Sequence, residues 1–250
     1  MKEGQRQFAG GTHRGLGRIP EKKPQQQNYM IATLLEIGAP TLFTVRSWWD
    51  NGSWLDQGNT GTCVGHGCAH RMEDSPITYP HVAIDPFEIY REACKLDPWP
   101  ENDNGDVDFG TSVDAGARAL KKMDLISAFY WAFDMDTADR FLRTPADQGG
   151  GPLIIGVNWY ESMFNPVWRK DALGDYRWFI EIDESEGGVA GGHCLVVNGR
   201  NPQRKTWRLK NSWGRSWGVE GRVSMHDDDM ERLIAEGGEF CSPLEKRPAN

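Results

Sequence analysis

The chain has 250 residues, in which 36 acidic residues outnumber 28 basic ones and give a formal net charge of −8. This excess of acid argues against a general nucleic-acid binder, because such proteins normally present a basic surface. Five cysteines are too few, and odd in number, for a disulfide scaffold. The charged fraction of 26%, with both signs mixed, also argues against wholesale disorder.

The beginning of the chain differs from the rest in charge. Within residues 1–27, six basic residues face two acidic ones, and the stretch ends in three glutamines. This composition predicts a flexible basic tail over residues 1–28, with a docking arm for an acidic partner as the alternative. Neither a secretory signal nor a span of roughly 20 apolar residues is recognisable. We therefore expect a cytoplasmic protein without membrane contact.

Four segments carry signals that begin a helix. Asp85 and Pro86 provide a cap and a first-turn proline, and Ser112 precedes apolar residues that recur at helical spacing. Asp134, Asp136 and the three aspartates at 227–229 stand where the helix dipole favours acids. The predicted helices cover residues 87–96, 113–123, 137–143 and 230–238.

Five β-leaning segments follow in the second half of the chain, each punctuated by glycine, proline or aspartate. The predicted strands cover residues 152–158, 177–182, 193–199, 206–211 and 221–225. Helices thus dominate residues 60–125 and strands dominate residues 150–225. This order predicts an α+β protein with two lobes rather than alternating βαβ units.

Three short motifs carry reactive side chains. Residues 56–63 read Asp-Gln-Gly-Asn-Thr-Gly-Thr-Cys, residues 191–193 read Gly-Gly-His, and residues 210–218 read Lys-Asn-Ser-Trp-Gly-Arg-Ser-Trp-Gly. Together they supply a thiol, an imidazole and two side-chain amides. These are the groups that acyl transfer through a cysteine nucleophile needs.

Each group suits one step of that chemistry. A helix beginning at Cys63 and a nearby imidazolium would both lower the pKa of the thiol. His193 would take the thiol proton and return it to the leaving group. Asn211 would orient the imidazole, and Gln57, with the backbone N–H of Cys63, would stabilise the oxyanion.

The motifs resemble those of papain-like (C1-type) cysteine peptidases. The family pattern Gln-Gly-x-x-Gly-Ser-Cys corresponds to residues 57–63, and its Asn-Ser-Trp-Gly-x-x-Trp-Gly corresponds to residues 211–218. Its Gly-His corresponds to Gly192 and His193. Thr60 stands where the family often has a disulfide cysteine, so the chain is similar to compact bacterial or bacteriophage members.

The resemblance implies a papain-like fold with the active site in a cleft between two lobes. The helical left lobe would occupy about 45–125 and the antiparallel β-barrel right lobe about 126–240, within a peptidase domain at 29–240 that a tail at 241–250 follows. It implies a peptide or protein substrate, no cofactor and a catalytic set of Cys63, His193, Asn211 and Gln57. The substrate-binding positions that it implies are Gly61, Gly110, Gly192 and Trp213.

Other interpretations remain for single features. His66 and His70 are spaced to share a helix face, which suits zinc, but no second ligand pair accompanies them, so we expect no metal. The acidic run 97–108 is interpreted as a solvated loop, with a preference for basic peptides as the alternative. The remaining cysteines are expected to be inert; they are Cys68, Cys94, Cys194 and Cys241.

The reaction also has alternatives. An amidase or a cell-wall peptide hydrolase could use the same pair of Cys63 and His193. A non-catalytic peptide-binding module would keep the cleft but leave Cys63 unreactive. A monomer is the default expectation for assembly.

Overall fold

The structure is a computed structural model that describes residues 14–21, 29–36, 42–48, 54–74, 76, 84–100 and 106–245. The helices in these ranges are α1 (Ile31–Glu36), α2 (Cys63–Glu73), α3 (Pro86–Cys94), α4 (Val113–Lys122), α5 (Met135–Arg143) and α6 (Asp227–Ala235). The strands are β1 (Arg46–Ser47), β2 (Ile126–Ala132), β3 (Leu153–Tyr160), β4 (Val167–Lys170), β5 (Tyr176–Phe179), β6 (Val189–Asn201), β7 (Thr206–Lys210), β8 (Arg222–His226) and β9 (Glu239–Glu245). Over the described residues, no helix combines the length and apolar character that crossing a membrane requires.

Helices α3, α4 and α5 begin where their capping residues predict. The side chains of Asp85, Ser112 and Asp134 each accept a hydrogen bond from a backbone N–H two or three residues later. Each such cap contributes about 1 kcal/mol to helix stability. Helix α6 begins at Asp227, so its aspartates form the first turn instead of preceding it. The four predicted helices are confirmed, with ends displaced by three residues or fewer.

The strands form one sheet in the order β2-β9-β3-β6-β7-β8-β5-β4, and β1 pairs with β6. Neighbouring strands are antiparallel except for a parallel contact between β5 and β8 at Phe179 and Ser224. The five predicted strands are present, although β5 ends at Phe179, before the predicted end at residue 182. The α+β class is therefore confirmed.

The predicted C-terminal tail at 241–250 is wrong for its first half. Strand β9 continues to Glu245 and pairs with both β2 and β3. Pro243 lies beyond the pairing with β3, which stops at Cys241, and is paired with Phe129 of β2. The partner strand β2 lies far earlier in the chain, and no local signal marks the pairing. Residues 246–250 lie outside the described residues.

Buried side chains form two core clusters. One joins the apolar faces of α2, α3 and α4, and the other fills the sheet lobe around tryptophans such as Trp159 and Trp207. Strand β6 supplies both clusters, because successive side chains of a strand point to opposite faces. Cys194 enters the helical cluster, whereas Leu195 enters the sheet cluster. This strand therefore lies between the two cores.

Two glycines allow α2 to pack closely against its neighbours. A Cβ at Gly67 would lie 2.9 Å from the Sγ of Cys194, and a Cβ at Gly65 would lie 2.2 Å from the carbonyl oxygen of Pro86. Larger residues would push α2 away from β6 and α3. The glycines that weaken helix propensity thus bring the start of α2 close to the strand that carries His193.

Candidate active site

Cys63 is the first residue of α2 and is fully buried. Burial raises the pKa of its thiol to about 12, against smaller opposite effects of the backbone N–H groups of Cys194 and Gly17 and the charge of Arg18. The position of Cys63 at a helix start predicts a lowered pKa. The structure reverses this expectation because exclusion of water penalises the thiolate more than one helix end stabilises it. The Cys194 contact places the thiol against the strand of His193.

His193 lies in β6 with its ring fully buried. Its Nε2 is 2.8 Å from the Oδ1 of Asn211, an oxygen that can only accept, so Nε2 is the donor and Nδ1 remains to accept a proton. Among the described residues Nδ1 has no hydrogen-bond partner, so Cys63 and His193 share no hydrogen bond in this conformation. Burial lowers the pKa of His193 to about 4, and the bond with Asn211 opposes this effect. The ring is therefore a neutral base with an unused nitrogen.

Aromatic rings enclose the imidazole. Trp213 stacks on His193 with ring centroids 4.8 Å apart, and Trp159 meets the same ring edge-on at 4.7 Å. Trp217 packs edge-on against Trp213 at 5.3 Å. Because Trp213 and Trp159 are fully buried, this packing keeps water away from the bond between His193 and Asn211.

A hydrogen-bond chain links the imidazole side to Gln57. The Oδ1 of Asn211 also accepts from the backbone N–H of Ser212, at 2.8 Å. The hydroxyl of Ser212 donates to the Oε1 of Gln57, at 2.6 Å. The Gln57 side chain is thereby turned so that its Nε2 donates to the carbonyl oxygens of Gly15 and Thr60, at 3.1 and 2.8 Å.

Residues 14–21, which we call the strap, cross the cleft between the lobes. The backbone N–H groups of Gly17 and Arg18 both donate to the carbonyl oxygen of Gly192, at 3.1 and 3.0 Å. On the helical side, the N–H of Thr111 donates to the carbonyl of Gly17 and the N–H of Ile19 donates to the carbonyl of Thr111. The predicted flexible tail is therefore wrong for residues 14–21, and the rest of 1–28 lies outside the described residues.

The strap lies directly against the cysteine loop. A Cβ at Gly15 would come within 1.9 Å of the carbonyl oxygen of Thr60, and a Cβ at Gly17 within 1.8 Å of that of Gly61. Only glycine fits at such distances without a shift of the backbone. The alternation Gly-Leu-Gly in the strap thus permits the close approach that seals the thiol from solvent.

The four predicted substrate-binding residues all contact the strap. The main chain of Gly61 borders Leu16 and Gly17, and a Cβ at Gly110 would lie 2.3 Å from the carbonyl oxygen of Gly17. Gly192 accepts the two strap N–H groups, and the Nε1 of Trp213 donates to the carbonyl of Gly15 at 3.4 Å. The structure brings these residues together around a peptide segment of the chain itself. Their binding of substrate stays a prediction.

The other candidate residues have partners within the chain. The Nδ1 of His66 bonds the carbonyl of Thr62 at 3.0 Å, and the Nε2 of His70 accepts from the N–H of Leu55 at 3.2 Å. No group of three His, Cys, Asp or Glu side chains within the described ranges could hold a metal ion. All five cysteines are described and buried, and none forms a disulfide.

Sequence reasoning missed several residues of the site. Ser212 lies inside the third motif, but only the fold reveals that its hydroxyl reaches Gln57. Trp159 has no motif around it, and its contact with His193 depends on the pairing of β3 with β6. Arg18 and Glu239 are far apart in the sequence and meet in the cleft. The local feature that could have marked this segment as part of the site is the alternation of glycines at positions 15 and 17, just before Arg18.

The fold and the site together define an α+β protein of papain-like architecture, with a thiol, an imidazole and an orienting amide at the junction of two lobes. Among solved structures the chain is similar to xylellain, a cysteine protease from Xylella fastidiosa, with a TM-score of 0.66 and 16% identity over 94% of this chain and 97% of that chain. It is also similar to procathepsin B S9 from Trypanosoma congolense, with a TM-score of 0.55 and 13% identity over 93% and 83% of the two chains.

A curated relative gives a weaker sequence match. An uncharacterized peptidase C1-like protein of Acanthamoeba polyphaga mimivirus is 22% identical over an alignment of 210 residues, and the match covers 69% of this chain. The match spans 64% of that relative, slightly under two thirds of its length. No family model matches the chain. The resemblance to papain-like proteins is thus confirmed at the level of the fold.

Proposed function

We propose that this protein is a cysteine peptidase of the papain-like kind, in which Cys63 attacks the carbonyl carbon of a peptide bond. The carrying observation is that the cleft already holds peptide main chain over Cys63, with one carbonyl oxygen on the Nε2 of Gln57. A groove that binds an extended backbone on both walls suits peptide and protein substrates. We extend the peptidase domain from residue 29 to 245, with the lobes dividing near 125.

The proposed reaction begins when the strap leaves the cleft. The Nδ1 of His193 takes the proton from the Sγ of Cys63, and the sulfur forms a bond to the substrate carbonyl carbon. The Nε2 of Gln57 and the backbone N–H of Cys63 stabilise the resulting oxyanion. His193 then protonates the leaving amine as the C–N bond breaks. His193 then deprotonates a water molecule, which hydrolyses the thioester. The Cys63 sulfur is released and regains its proton from His193.

Asn211 and Trp213 act on this reaction through His193. Asn211 holds the ring through Nε2 and so leaves Nδ1 available to accept the thiol proton, and Trp213 covers the bond between Asn211 and His193. Neither changes a covalent bond, so both are positioning residues. Their contribution is to keep the proton-accepting nitrogen in place through both halves of the reaction.

The test compares two cysteines of the same helix. In a Gly17→Ala background, which loosens the strap, Cys63→Ala is expected to abolish hydrolysis of casein and fluorogenic peptides, and labelling by a peptide-like epoxide. Cys68→Ala removes a buried thiol five residues further along α2 and should retain both activities. Turnover that survives in Cys63→Ala contradicts the proposal.

Two other outcomes identify the alternatives. Peptide binding without hydrolysis, together with an unlabelled Cys63 in the loosened protein, would mark a binding module and end the peptidase proposal. Hydrolysis confined to peptidoglycan stem peptides, with casein untouched, would replace it by a cell-wall peptide hydrolase.

A further inference from the structure

The buried indole of Trp159 is held by other aromatic rings. Trp159 is fully buried, and its ring meets Trp213 at 5.1 Å and Phe164 at 6.4 Å, edge-on in both cases. Its Nε1 has no hydrogen-bond partner among the residues that the structure describes. Because a buried donor without an acceptor costs free energy, hydrogen bonding does not explain a tryptophan at this position. The role of Trp159 therefore lies in its ring contacts.

The register between β3 and β6 directs this indole onto His193. Val157 is paired with His193, and Trp159 is paired with Gly191. Residues two apart on a strand share a face, so Trp159 and His193 are diagonal neighbours on one face, within reach of an aromatic side chain. Gly191 has no side chain, so the indole can lean across to the imidazole, with ring centroids 4.7 Å apart. The first glycine of the Gly-Gly-His motif thus makes room for Trp159.

Trp159 restrains the imidazole in a direction that its other contacts leave open. The bond from the Nε2 of His193 to Asn211 fixes one ring atom, and a ring held at one atom can still pivot about that bond. Trp213 stacks on the imidazole with 29° between the planes, whereas the plane of Trp159 stands at 73° to it. Two neighbours at such different angles block the pivot from two sides. The position of Nδ1 therefore depends on Trp159 as well as on Asn211 and Trp213.

Trp159 also excludes water from His193. Burial is the largest cause of the low pKa of His193, about 4, and the fully buried Trp159 forms part of that cover. The titratable groups that face the imidazole from α2 are Cys63 and His66, of which His66 also lowers this pKa. The charge of Arg18 in the strap is held in a buried ion pair, and β3 contains no charged residue. A change at Trp159 therefore alters the hydration of the imidazole and leaves the charges around it as they are.

We propose that Trp159 is a further positioning residue of the reaction, which holds the imidazole of His193 in its working orientation and keeps it an unprotonated base into acid solution. The kinetic part of this inference rests on the proposed peptidase function, whereas the effect on the imidazole does not. Trp159 and Asn211 act on the base in opposite directions. The bond with Asn211 raises the pKa of His193, and the cover that includes Trp159 lowers it.

The first test measures pH–rate profiles in the full-length Gly17→Ala protein, with one fluorogenic peptide throughout. Trp159→Leu removes the indole and keeps an apolar side chain. We expect kcat to fall at least about tenfold while KM stays within about twofold, and the acidic limb to move up by about one pH unit as water reaches the imidazole. Trp159→Phe, which restores an aromatic ring, should recover most of kcat and bring the limb most of the way back. Loss of the bond with Asn211 would move the limb in the opposite direction.

Trp207→Leu is the matched control in the same background. Trp207 is also fully buried in the sheet core, where it stacks on Phe240 at 6.1 Å. Its loss should lower Tm, but kcat per site labelled by the peptide-like epoxide and the acidic limb should both stay unchanged. The inference is overturned by an unmoved limb in Trp159→Leu, by an equal movement in both leucine variants, or by a change confined to KM.

The second test observes the imidazole itself and does not depend on catalysis. In histidine-labelled full-length protein, the His193 signals are assigned by their absence from His193→Gln and are followed by NMR as pH falls. The pKa of His193, about 4 in the parent protein, should rise by about one pH unit or more in Trp159→Leu and stay unchanged in Trp207→Leu. Trp159→Phe should show a smaller rise, which keeps the test decisive where Trp159→Leu fails to fold.

The two tests together separate this inference from the peptidase function. A rise in the pKa of His193 that is confined to the Trp159 variants, in a protein that hydrolyses nothing, supports the role of Trp159 at the imidazole and rejects the peptidase function. Hydrolysis by a protein whose His193 titrates identically with and without Trp159 overturns the inference and leaves the peptidase function standing.

Discussion

On the imidazole side of the cleft, the contacts that fix His193 come from its own lobe, whereas on the thiol side the cover over Cys63 comes from the strap. Asn211, Trp213 and Trp159 hold the His193 ring within the sheet lobe. The thiol is closed off by main-chain contacts of residues 14–21.

The two sides of the cleft differ in what their contacts do. The sheet lobe orients the imidazole of His193, whereas the strap covers the thiol of Cys63. The imidazole is oriented by buried contacts with Asn211, Trp213 and Trp159, and none of these three residues belongs to the strap. We expect the thiol to become reachable, and its pKa to fall from the value that burial imposes, when residues 14–21 move. Under the proposed function, the position of this one segment therefore governs both the exposure and the ionisation of Cys63.

The largest expected effect is a loss of folding stability at acid pH, which the buried His193 causes. The folded pKa of His193 is lowered from 6.5 to about 4, so its contribution to stability is complete above pH 6.5 and is lost as pH falls towards 4. This loss amounts to about 3 kcal/mol. Urea unfolding of wild type and His193→Gln at pH 7 and pH 4 measures it, since the stability difference between the two proteins should shrink at low pH. Parallel pH dependences would show that the ring is not held neutral by burial.

The second-largest expected effect is a loss of kcat when the His193 ring loses the side chain that orients it. Asn211→Ala removes the partner of the Nε2 of His193, and a misplaced imidazole should lower kcat by about 100-fold in the strap-loosened protein. The acidic limb of the pH–rate profile should move to lower pH, because the lost hydrogen bond with Asn211 is one that raises the pKa of His193. Asn165→Ala, at an exposed asparagine, is the control. Unchanged kcat and pH profile in Asn211→Ala would remove the orienting role.

The smallest effect concerns the strap. Gly17→Ala places a Cβ 1.8 Å from the carbonyl oxygen of Gly61, and relief of that clash should favour the open strap by at least about 1.4 kcal/mol. Iodoacetamide should then alkylate Cys63 at least about tenfold faster, as followed by peptide mass spectrometry. Gly188→Ala is the matched control, since a Cβ there meets nothing within 4 Å. Equal rates in the two variants would mean that the strap does not limit access.

Local sequence signals predicted the elements that depend on neighbouring residues. The caps at Asp85, Ser112 and Asp134 act within three residues of chain, so their helices follow from the sequence. Strand β9 was missed because its stability comes from pairing with β2, which no local pattern reveals. The same limit applies to residues 14–21. Their glycines and charges predict flexibility, because their hydrogen-bond partners in the cleft lie far away in the sequence.

The sequence by itself determined the class of fold and the identity of the candidate nucleophile, base and orienting amide, because motif spacing and residue chemistry are properties of the chain. Tertiary structure decided the state of these groups. Burial sets the pKa directions of both groups, under the strap for Cys63 and among the rings of Trp159 and Trp213 for His193. The fold also brings Arg18 and Glu239 into a buried ion pair. Desolvation and charge pairing depend on which distant residues exclude water together, and that is fixed only when the chain has folded.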